Sequence, residues 1–281
     1  MHNAATVDQC LRHAQSLGLA RVDAQMLLLH SLQRPLHERA WLLAHDSDTL
    51  TAAQSTAWQD ALQRRLSGEP VAYITGRKDF FGLSLAVDAR VLDPRPDTET
   101  LVEWALDCLP ETGTPRILDL GTGSGAVALA LQHKRPNATV WAVDASEDAL
   151  AVARANATRL HLGVQFIASN WLKAVDVQGT GRFELIVSNP PYVAEGDPHL
   201  AALRHEPLQA LTSGSDGLDD IRQIIAQAPA FLAPGGWLLL EHGWDQAAAV
   251  QALLGEAGFV QVQSRRDLGG MARCTGAAWP V

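Results

Sequence analysis

Asn189-Pro190-Pro191-Tyr192 is the segment of the chain best equipped for chemistry. Its two prolines stiffen the backbone and remove two N–H donors, so that carbonyls are the polar groups it offers. The Asn189 side-chain oxygen and the Pro190 carbonyl can then accept both hydrogens of a single NH2 group. A carboxamide or aromatic amine nitrogen is a poor nucleophile because its lone pair is delocalised. Holding both hydrogens favours a pyramidal nitrogen whose lone pair is aimed at an electrophile. Catalysis of this kind is mostly positioning and electrostatics, with little need for a strong base. Tyr192 would lie against the substrate plane or near a cationic centre, which a ring face favours. The tetrapeptide therefore predicts transfer to a planar amide or amine nitrogen. Asn189, Pro190 and Tyr192 are the catalytic candidates, and Asn189, Pro190, Pro191 and Tyr192 are the substrate-binding ones.

A second group of residues points to the electrophile. Ile117-Leu118-Asp119-Leu120 runs into Gly121-Thr122-Gly123-Ser124-Gly125, where glycines allow a tight turn and the close approach of a ligand. The next apolar run ends at Asp144, whose carboxylate can take both hydroxyls of a ribose. Together they mark an adenosine-type cofactor. The dinucleotide fingerprint is G-x-G-x-x-G, with a pyrophosphate at the helix N-terminus. Here the spacing is G-x-G-x-G, followed by Ala126. Asp119, just before the loop, would repel phosphate but suits the ammonium of a methionine moiety. Both departures predict S-adenosyl-L-methionine rather than NAD. The cofactor-binding candidates are Gly121, Thr122, Gly123, Ser124, Gly125, Asp144 and Trp171. Within Ser169-Asn170-Trp171, Asn170 would pair with the adenine edge and Trp171 would offer a flat stacking surface.

These residues need elements that bring them to one rim. From about residue 97 helices and strands alternate. The expected strands are 116–120, 139–143, 164–168, 183–188, 237–241 and 259–265. The expected helices are 98–109, 126–133, 147–159, 218–232 and 246–257, with a loop over 176–182 and a turn at Pro234-Gly235-Gly236. Runs such as Leu185-Ile186-Val187, apolar on both faces, argue a parallel sheet covered by helices. In such a sheet ligands bind at the carboxyl ends of the strands, where the glycine loop, Asp144, Trp171 and Asn189 all fall. The first 70 residues read as a helical bundle. Val22 to Leu32 has helical apolar spacing, Thr51-Ala52-Ala53-Gln54 fits a capping box, and Trp58, Leu62 and Leu66 share a face. Residues 71–96 read as a hairpin linker, with Phe81, Leu83, Leu85 and Val87 alternating and a turn near Gly76.

Composition narrows the class. The chain has 281 residues, 47% hydrophobic and 19% charged, which suits a soluble globular protein of roughly two domains. No apolar run is long enough for the ~20 residues that cross a bilayer. Met1-His2-Asn3 shows no basic start, so no secretory signal is expected. Cys10, Cys108 and Cys274 are scattered and read as reduced thiols in cytoplasm. A formal charge of −9 leans away from a protein that grips bare nucleic acid, although Arg64-Arg65 and Arg265-Arg266 offer local basic pairs. The ten histidines include no H-x-x-x-H pair, and no metal site is expected; His242 reads as structural. There is no G-x-S-x-G elbow and no P-loop.

Over nearly its whole length the sequence resembles the release-factor glutamine N5-methyltransferases, the PrmC/HemK family. The resemblance is carried by Gly68-Glu69-Pro70-Val71-Ala72-Tyr73-Ile74, Phe80-Phe81-Gly82-Leu83, Leu118–Ala126, Ser188–Tyr192 and Glu206-Pro207-Leu208-Gln209-Ala210-Leu211. Pro94-Arg95-Pro96-Asp97-Thr98-Glu99 resembles the linker motif of that family rather than that of ribosomal-protein glutamine methyltransferases. The resemblance implies an α/β class I S-adenosylmethionine methyltransferase fold. This is a Rossmann-like sheet, mostly parallel with an antiparallel edge strand, over residues 97–281, preceded by the helical domain and hairpin linker. It implies methylation of the glutamine in the Gly-Gly-Gln motif of bacterial class I peptide chain release factors, hence a cytoplasmic role in translation termination. The resemblance also implies that Asn189, with the glycine loop, Asp144 and Trp171, binds the methyl donor. The helical domain would dock the release factor, with no membrane and no direct nucleic-acid substrate involved. Asn170 and Asp93 depart from the family pattern, where an acidic and an apolar residue are more usual. Three other readings compete: an N6-adenine nucleic-acid methyltransferase, an idle cofactor-fold binding module, and an NAD oxidoreductase. The first predicts a basic cleft and a base-flipping pocket.

Overall fold

The computed structural model describes residues 5–110 and 112–281, so the Met1-His2-Asn3 segment lies outside the described residues. The chain forms two compact units, residues 1–77 and 78–281.

The first unit is helical: α1 (Val7–Ser16), α2 (Arg21–Ser31), α3 (Arg39–Ala44), α4 (Ala52–Leu66) and α5 (Val71–Thr75). The capping box predicted at Thr51–Gln54 is present at the start of α4, and a second one, at Thr6–Gln9, opens α1. Leu27, Leu28 and Leu29 of α2, with Trp58 and Leu62 of α4, make the core of the bundle. Leu66, expected on the same face, is 47% exposed. Residues 71–75, read from sequence as linker, are a helix of this unit instead. Gly76 caps α5 at φ 68° rather than turning the hairpin.

The hairpin follows as β1 (Arg77–Phe80) and β2 (Leu83–Ala86), turning at Phe81-Gly82, both with positive φ. Leu83, Leu85 and Val87 are buried, as the alternation predicted. Glu99 accepts the Phe81 N–H at 2.9 Å, which fixes the turn to the helix that comes next.

The rest of the second unit runs α6 (Glu99–Cys108), β3 (Arg116–Leu120), α7 (Ala126–Lys134), β4 (Thr139–Asp144), α8 (Glu147–Leu160), β5 (Val164–Ala168), α9 (Val177–Thr180), β6 (Phe183–Ser188), α10 (Asp219–Gln227), β7 (Leu232–Glu241), α11 (Ala247–Glu256), β8 (Val260–Arg266) and β9 (Ala272–Ala278). Seven strands form one sheet in the order β5-β4-β3-β6-β7-β9-β8. The first four pairings are parallel, and β9 runs antiparallel to both β7 and β8. Strand order reverses between β3 and β6, which is where an open α/β sheet leaves a crevice at its carboxyl edge.

Four elements differ from the sequence reading. The helix expected over 218–232 ends at Gln227, because Pro229 allows only a 3-10 turn over Ala228–Ala230. The strand expected at 237–241 begins at Leu232 instead, pairing with Phe183 and absorbing Pro234-Gly235-Gly236 at a register shift. Strand β9 was not predicted at all. Its residues 272–278, with three alanines and a glycine, lack the β-branched signature of a strand. The loop expected over 176–182 contains the single turn of α9.

The cysteines are free; Cys10 and Cys274 are buried, and Cys108 is half-buried. Both arginine pairs are engaged: Arg64 with Glu69 at 2.5 Å, Arg65 with Asp23 at 2.9 Å, Arg265 with Asp107 at 2.6 Å and Arg266 with the Gly270 carbonyl at 2.6 Å. No described helix is long and apolar enough to cross a membrane.

Candidate active site

The glycine loop leaves β3 at its carboxyl end and enters α7. Its anchors are backbone bonds: Gly121 and Thr122 both donate to Val143 O at 2.9 Å. Gly121, Gly123 and Gly125 have φ of 72°, 54° and 85°, in the left-handed region where side chains are strained. Two of the three are also crowded. A Cβ on Gly121 would stand 3.2 Å from the Trp171 ring, and one on Gly125 would stand 2.9 Å from Leu129 Cδ1. Asn156 of α8, fully buried, donates to Ser124 O and exchanges two hydrogen bonds with Ala86, so β2 and the loop share one clamp.

Two carboxylates flank the loop. Asp119 is 1% exposed, accepts from Thr122 Oγ1 at 2.7 Å and from Ala128 N at 3.2 Å, and burial raises its carboxyl to about 7. Asp144 is half-buried at the end of β4. It accepts from Gly123 N and Ser146 N, each at 2.9 Å, and burial raises it as well.

A cavity of about 500 Å³ opens over these ends, a size suited to a nucleoside-bearing ligand. It gathers Asp119, the glycine loop, Asp144, Asn170, Trp171, Asn189 and Pro191, which the sequence placed together. It adds residues from three segments that the sequence did not assign to a ligand: Thr98, Asp220 and Gln209. Of the loop, Gly121, Thr122, Gly123 and Ser124 line it, whereas Gly125 serves the turn into α7. Trp171 sits at φ 50° with its indole N–H on Asp220 Oδ1 at 3.0 Å, so α10 fixes the ring's orientation. Asn170 Oδ1 accepts from Gln223 at 3.1 Å, and the amide read from sequence as an adenine contact is therefore partly engaged by α10.

The tetrapeptide divides into two sides. Asn189 and Pro191 line the cavity, while Pro190 is buried and Tyr192 turns away from it. The Tyr192 hydroxyl donates to Glu241 Oε1 at 3.3 Å. Burial, with the Glu241 charge beside it, holds that phenol far above its ordinary range. Tyr192 thus supports the loop from behind, where the sequence reading set its ring against the substrate plane or near a cationic centre. Asn189 Nδ2 donates to Thr98 Oγ1 at 3.3 Å. Ser188 Oγ donates to Leu120 O at 2.7 Å, and Gln246 donates to Tyr192 O at 3.1 Å, closing both ends of the turn. Glu241 is 1% exposed; burial raises it to about 7, against the Thr98 hydroxyl, the Arg273 charge and the Tyr192 hydroxyl.

The segment around Pro94-Arg95-Pro96 is held by charge. Arg95 pairs with Glu206, Glu206 accepts from Asp93 N at 3.1 Å, and Lys78 Nζ lies 3.0 Å from Asp93 Oδ1. Asp93, where an apolar residue was expected, is buried inside this ion cluster. His242 is structural, as read: fully buried, its ring nitrogens meet Thr275 Oγ1 at 2.7 Å and Gly243 O at 2.8 Å. No cluster of metal-ligating side chains occurs among the described residues.

Comparisons with known proteins follow the same division of the chain. Residues 98–264 match the methyltransferase small domain family, and residues 6–76 match the PrmC N-terminal domain family. The release factor glutamine methyltransferase of Bordetella pertussis is 51% identical over 92% of this chain and 95% of its own. That of Burkholderia pseudomallei is 47% identical over 98% of this chain and 97% of its own. Among solved structures, a methyltransferase from Pyrococcus furiosus aligns with a TM-score of 0.56 at 20% identity, covering 79% of this chain and 100% of its own, a likeness of fold alone.

Proposed function

The chain belongs to the family of release factor glutamine methyltransferases, and we propose that it methylates the side-chain N5 of the Gly-Gly-Gln glutamine in class I peptide chain release factors. The methyl donor is S-adenosyl-L-methionine, in a class I methyltransferase fold. When bound, it supplies a methyl group on a positively charged sulfur, which accepts the nitrogen lone pair as sulfur keeps the old bond's electrons.

The residues present fit that donor. The loop at Gly121 and Gly123 has no room or no conformational tolerance for side chains, as a ligand lying on backbone requires. Asp119 would offer a negative charge to the methionine ammonium, Asp144 would take the ribose hydroxyls, and the Trp171 ring would supply an apolar face for the adenine. Asn189 reaches both donor and substrate.

The observation that carries the reading is the pairing of Asn189 with Thr98. With its NH2 committed there, Asn189 has Oδ1 left to accept one hydrogen of the substrate amide, and the Pro190 carbonyl takes the other. Pinned in this way, the amide nitrogen gives up part of its conjugation and directs its lone pair to the methyl; cationic once the N–C bond has formed, it then releases one of its two protons to water. Pro191 packs beside it, and Tyr192 holds the turn through Glu241. The glutamine reaches the cavity on an extended loop of the release factor. The helical unit, with Leu17, Val22 and Leu66 each nearly half exposed, provides a second apolar surface for that protein. A release factor substrate places the enzyme in the cytoplasm.

The test is a competition in one tube, with labelled S-adenosyl-L-methionine, a purified class I release factor, and total RNA and DNA. Label should enter the release factor. Label in the nucleic acid instead would make the chain a nucleic-acid methyltransferase and end the glutamine assignment.

A further inference from the structure

Two walls of the donor cavity come from segments far apart in the chain. One is the glycine loop, and the other is the segment that leaves β2, whose Arg90, Val91, Leu92 and Pro94 also line the cavity. A two-stranded hairpin such as β1–β2 is marginally stable by itself, so whatever holds it fixes where that second wall stands. Helix α8 does the holding. Ala149, Ala153 and Asn156 fall on one face of it, at spacings of four and three residues. Ala149 lines the cavity, and the Ala153 methyl would stand 3.3 Å from a Cβ on Gly125, so small side chains bring the helix close to the loop. Asn156, fully buried, is next along that face. Its Nδ2 donates to Ser124 O at 3.0 Å and to Ala86 O at 2.9 Å. Its Oδ1 accepts from Ala86 N at 2.7 Å and from Arg159 Nη2 at 3.0 Å. Both protons and both lone pairs are used, and the Ala86 N–H admits only the oxygen, so the amide has one orientation. Ser124 is buried and precedes the α7 N-cap at Gly125, so its carbonyl lies outside the helix ladder and needs such a donor.

We infer that Asn156 is a positioning residue for the methyl donor: it ties the loop at Ser124 and the hairpin at Ala86 to one amide, and so sets the spacing of the two walls that hold the donor. The inference rests on the reading that S-adenosyl-L-methionine lies on the glycine loop. The loop's glycines let a ligand approach the backbone, and the same freedom leaves the loop in need of an anchor. The hairpin is held at its turn by Glu99 and at its end by α8, where Arg159 also donates to Ser84 O. Asn156 joins the two segments. Its four hydrogen bonds go to the hairpin, the loop and Arg159, none to the Asn189 turn, so it acts on holding the donor rather than on the transfer.

Asn156→Ala removes the amide, and Asn156→Asp keeps its shape and its acceptor while losing the NH2. Each should raise Kd for S-adenosylhomocysteine and KM for S-adenosyl-L-methionine about tenfold or more, with kcat at saturating donor within about threefold of wild type. Loss of packing alone would spare the Asp variant, and a general loosening of the fold would lower kcat as well. A second measurement needs no variant. The Phe81 N–H, on Glu99 at the hairpin turn, does not line the cavity and reports opening of the hairpin. In 15N-labelled wild-type protein, S-adenosylhomocysteine at about 100 times its Kd should slow exchange of that N–H at least about tenfold, against a ceiling of about a hundredfold, because opening the hairpin withdraws a wall of the donor site. Three results overturn the inference: a Kd within about twofold of wild type in a folded Asn156→Asp variant, a kcat that falls while Kd holds, or a Phe81 exchange rate indifferent to the ligand. The reading beneath it fails by a different sign. If the ligand leaves exchange of the Gly123 N–H unchanged in wild type, the donor does not lie on the loop, and the inference falls with that reading.

Discussion

Replacing Asp119 by Asn should strip a pH dependence from cofactor binding. The Asp119 carboxyl is nearly sealed from solvent, and burial raises it from 3.8 to about 7, opposed by the Thr122 hydroxyl and the Ala128 amide and reinforced by Asp144. A cationic ammonium beside it favours the charged form, so any proton held there must leave on binding. For a free-protein pKa of about 7, the ionised fraction is roughly three quarters at pH 7.5 and one tenth at pH 6. S-adenosyl-L-methionine affinity should therefore fall about eightfold over that interval. Calorimetry at pH 7 in buffers of different ionisation enthalpy should find about half a proton released per cofactor bound. Asp119→Asn should bind more weakly, with a flat profile and no proton release. Stability carries the matching sign. The folded pKa lies above the unfolded one, so the neutral carboxyl's contribution is complete below pH 4 and is lost as pH rises through about 7. Three units at ~1.4 kcal/mol each give a ceiling of about 4 kcal/mol. The free protein should melt lower at pH 8 than at pH 5, and Asp119→Asn should show less of that drop. Glu241, raised to about 7 by its own burial, leaves part of it in place. A flat wild-type affinity from pH 6 to 7.5, or an equal slope in Asp119→Asn, would refute the reasoning.

Three further outcomes are expected. Gly121→Ala should weaken cofactor binding about tenfold or more in equilibrium dialysis, because its Cβ strains φ 72° and meets the Trp171 ring at 3.2 Å; binding at wild-type strength would mean the ring is free to move. Asn189→Ala should lower kcat at least about a hundredfold while changing S-adenosylhomocysteine affinity far less, measured by single-turnover kinetics and calorimetry; an unchanged rate removes the clamp. Arg95→Ala leaves the Glu206 carboxylate, 2% exposed, without its guanidinium partner. It should cost about 3 kcal/mol in urea unfolding, and a loss under about 1 kcal/mol would show that Lys78 and water replace it.

Where local sequence decides the outcome, the fold was legible. Strands β3, β4 and β6 are apolar on both faces because helices cover the sheet, and they form where their patterns put them. Strand β9 was invisible because its requirement is smallness. A Cβ on Gly276 would come 2.3 Å from Leu239 and 3.1 Å from the Trp104 ring, so packing excludes the branched residues that announce a strand. Phe81-Gly82, rather than Gly76, makes the hairpin turn because Gly76 is needed to end α5. The site divides in the same way. The glycine loop and the Asn-Pro-Pro-Tyr turn are contiguous and carry their chemistry in their own residue types. Thr98 meets Asn189 across 91 positions, and Tyr192 meets Glu241 across 49, contacts that no spacing rule reaches. Asp220, which orients Trp171 across 49 positions, lies in the first turn of α10 and carries no sequence mark of that contact. Tyr192 was read for its ring, whereas the fold uses its hydroxyl.

The most direct test of the account is to locate the methyl group. A class I release factor incubated with the enzyme and S-adenosyl-L-methionine should gain a single methyl, and fragmentation by mass spectrometry should place it on the side-chain nitrogen of the Gly-Gly-Gln glutamine. Replacing that glutamine by glutamate in the release factor should abolish the gain. A methyl found on any other residue, or one that persists after the glutamine is replaced, would contradict the proposed clamp on a glutamine amide.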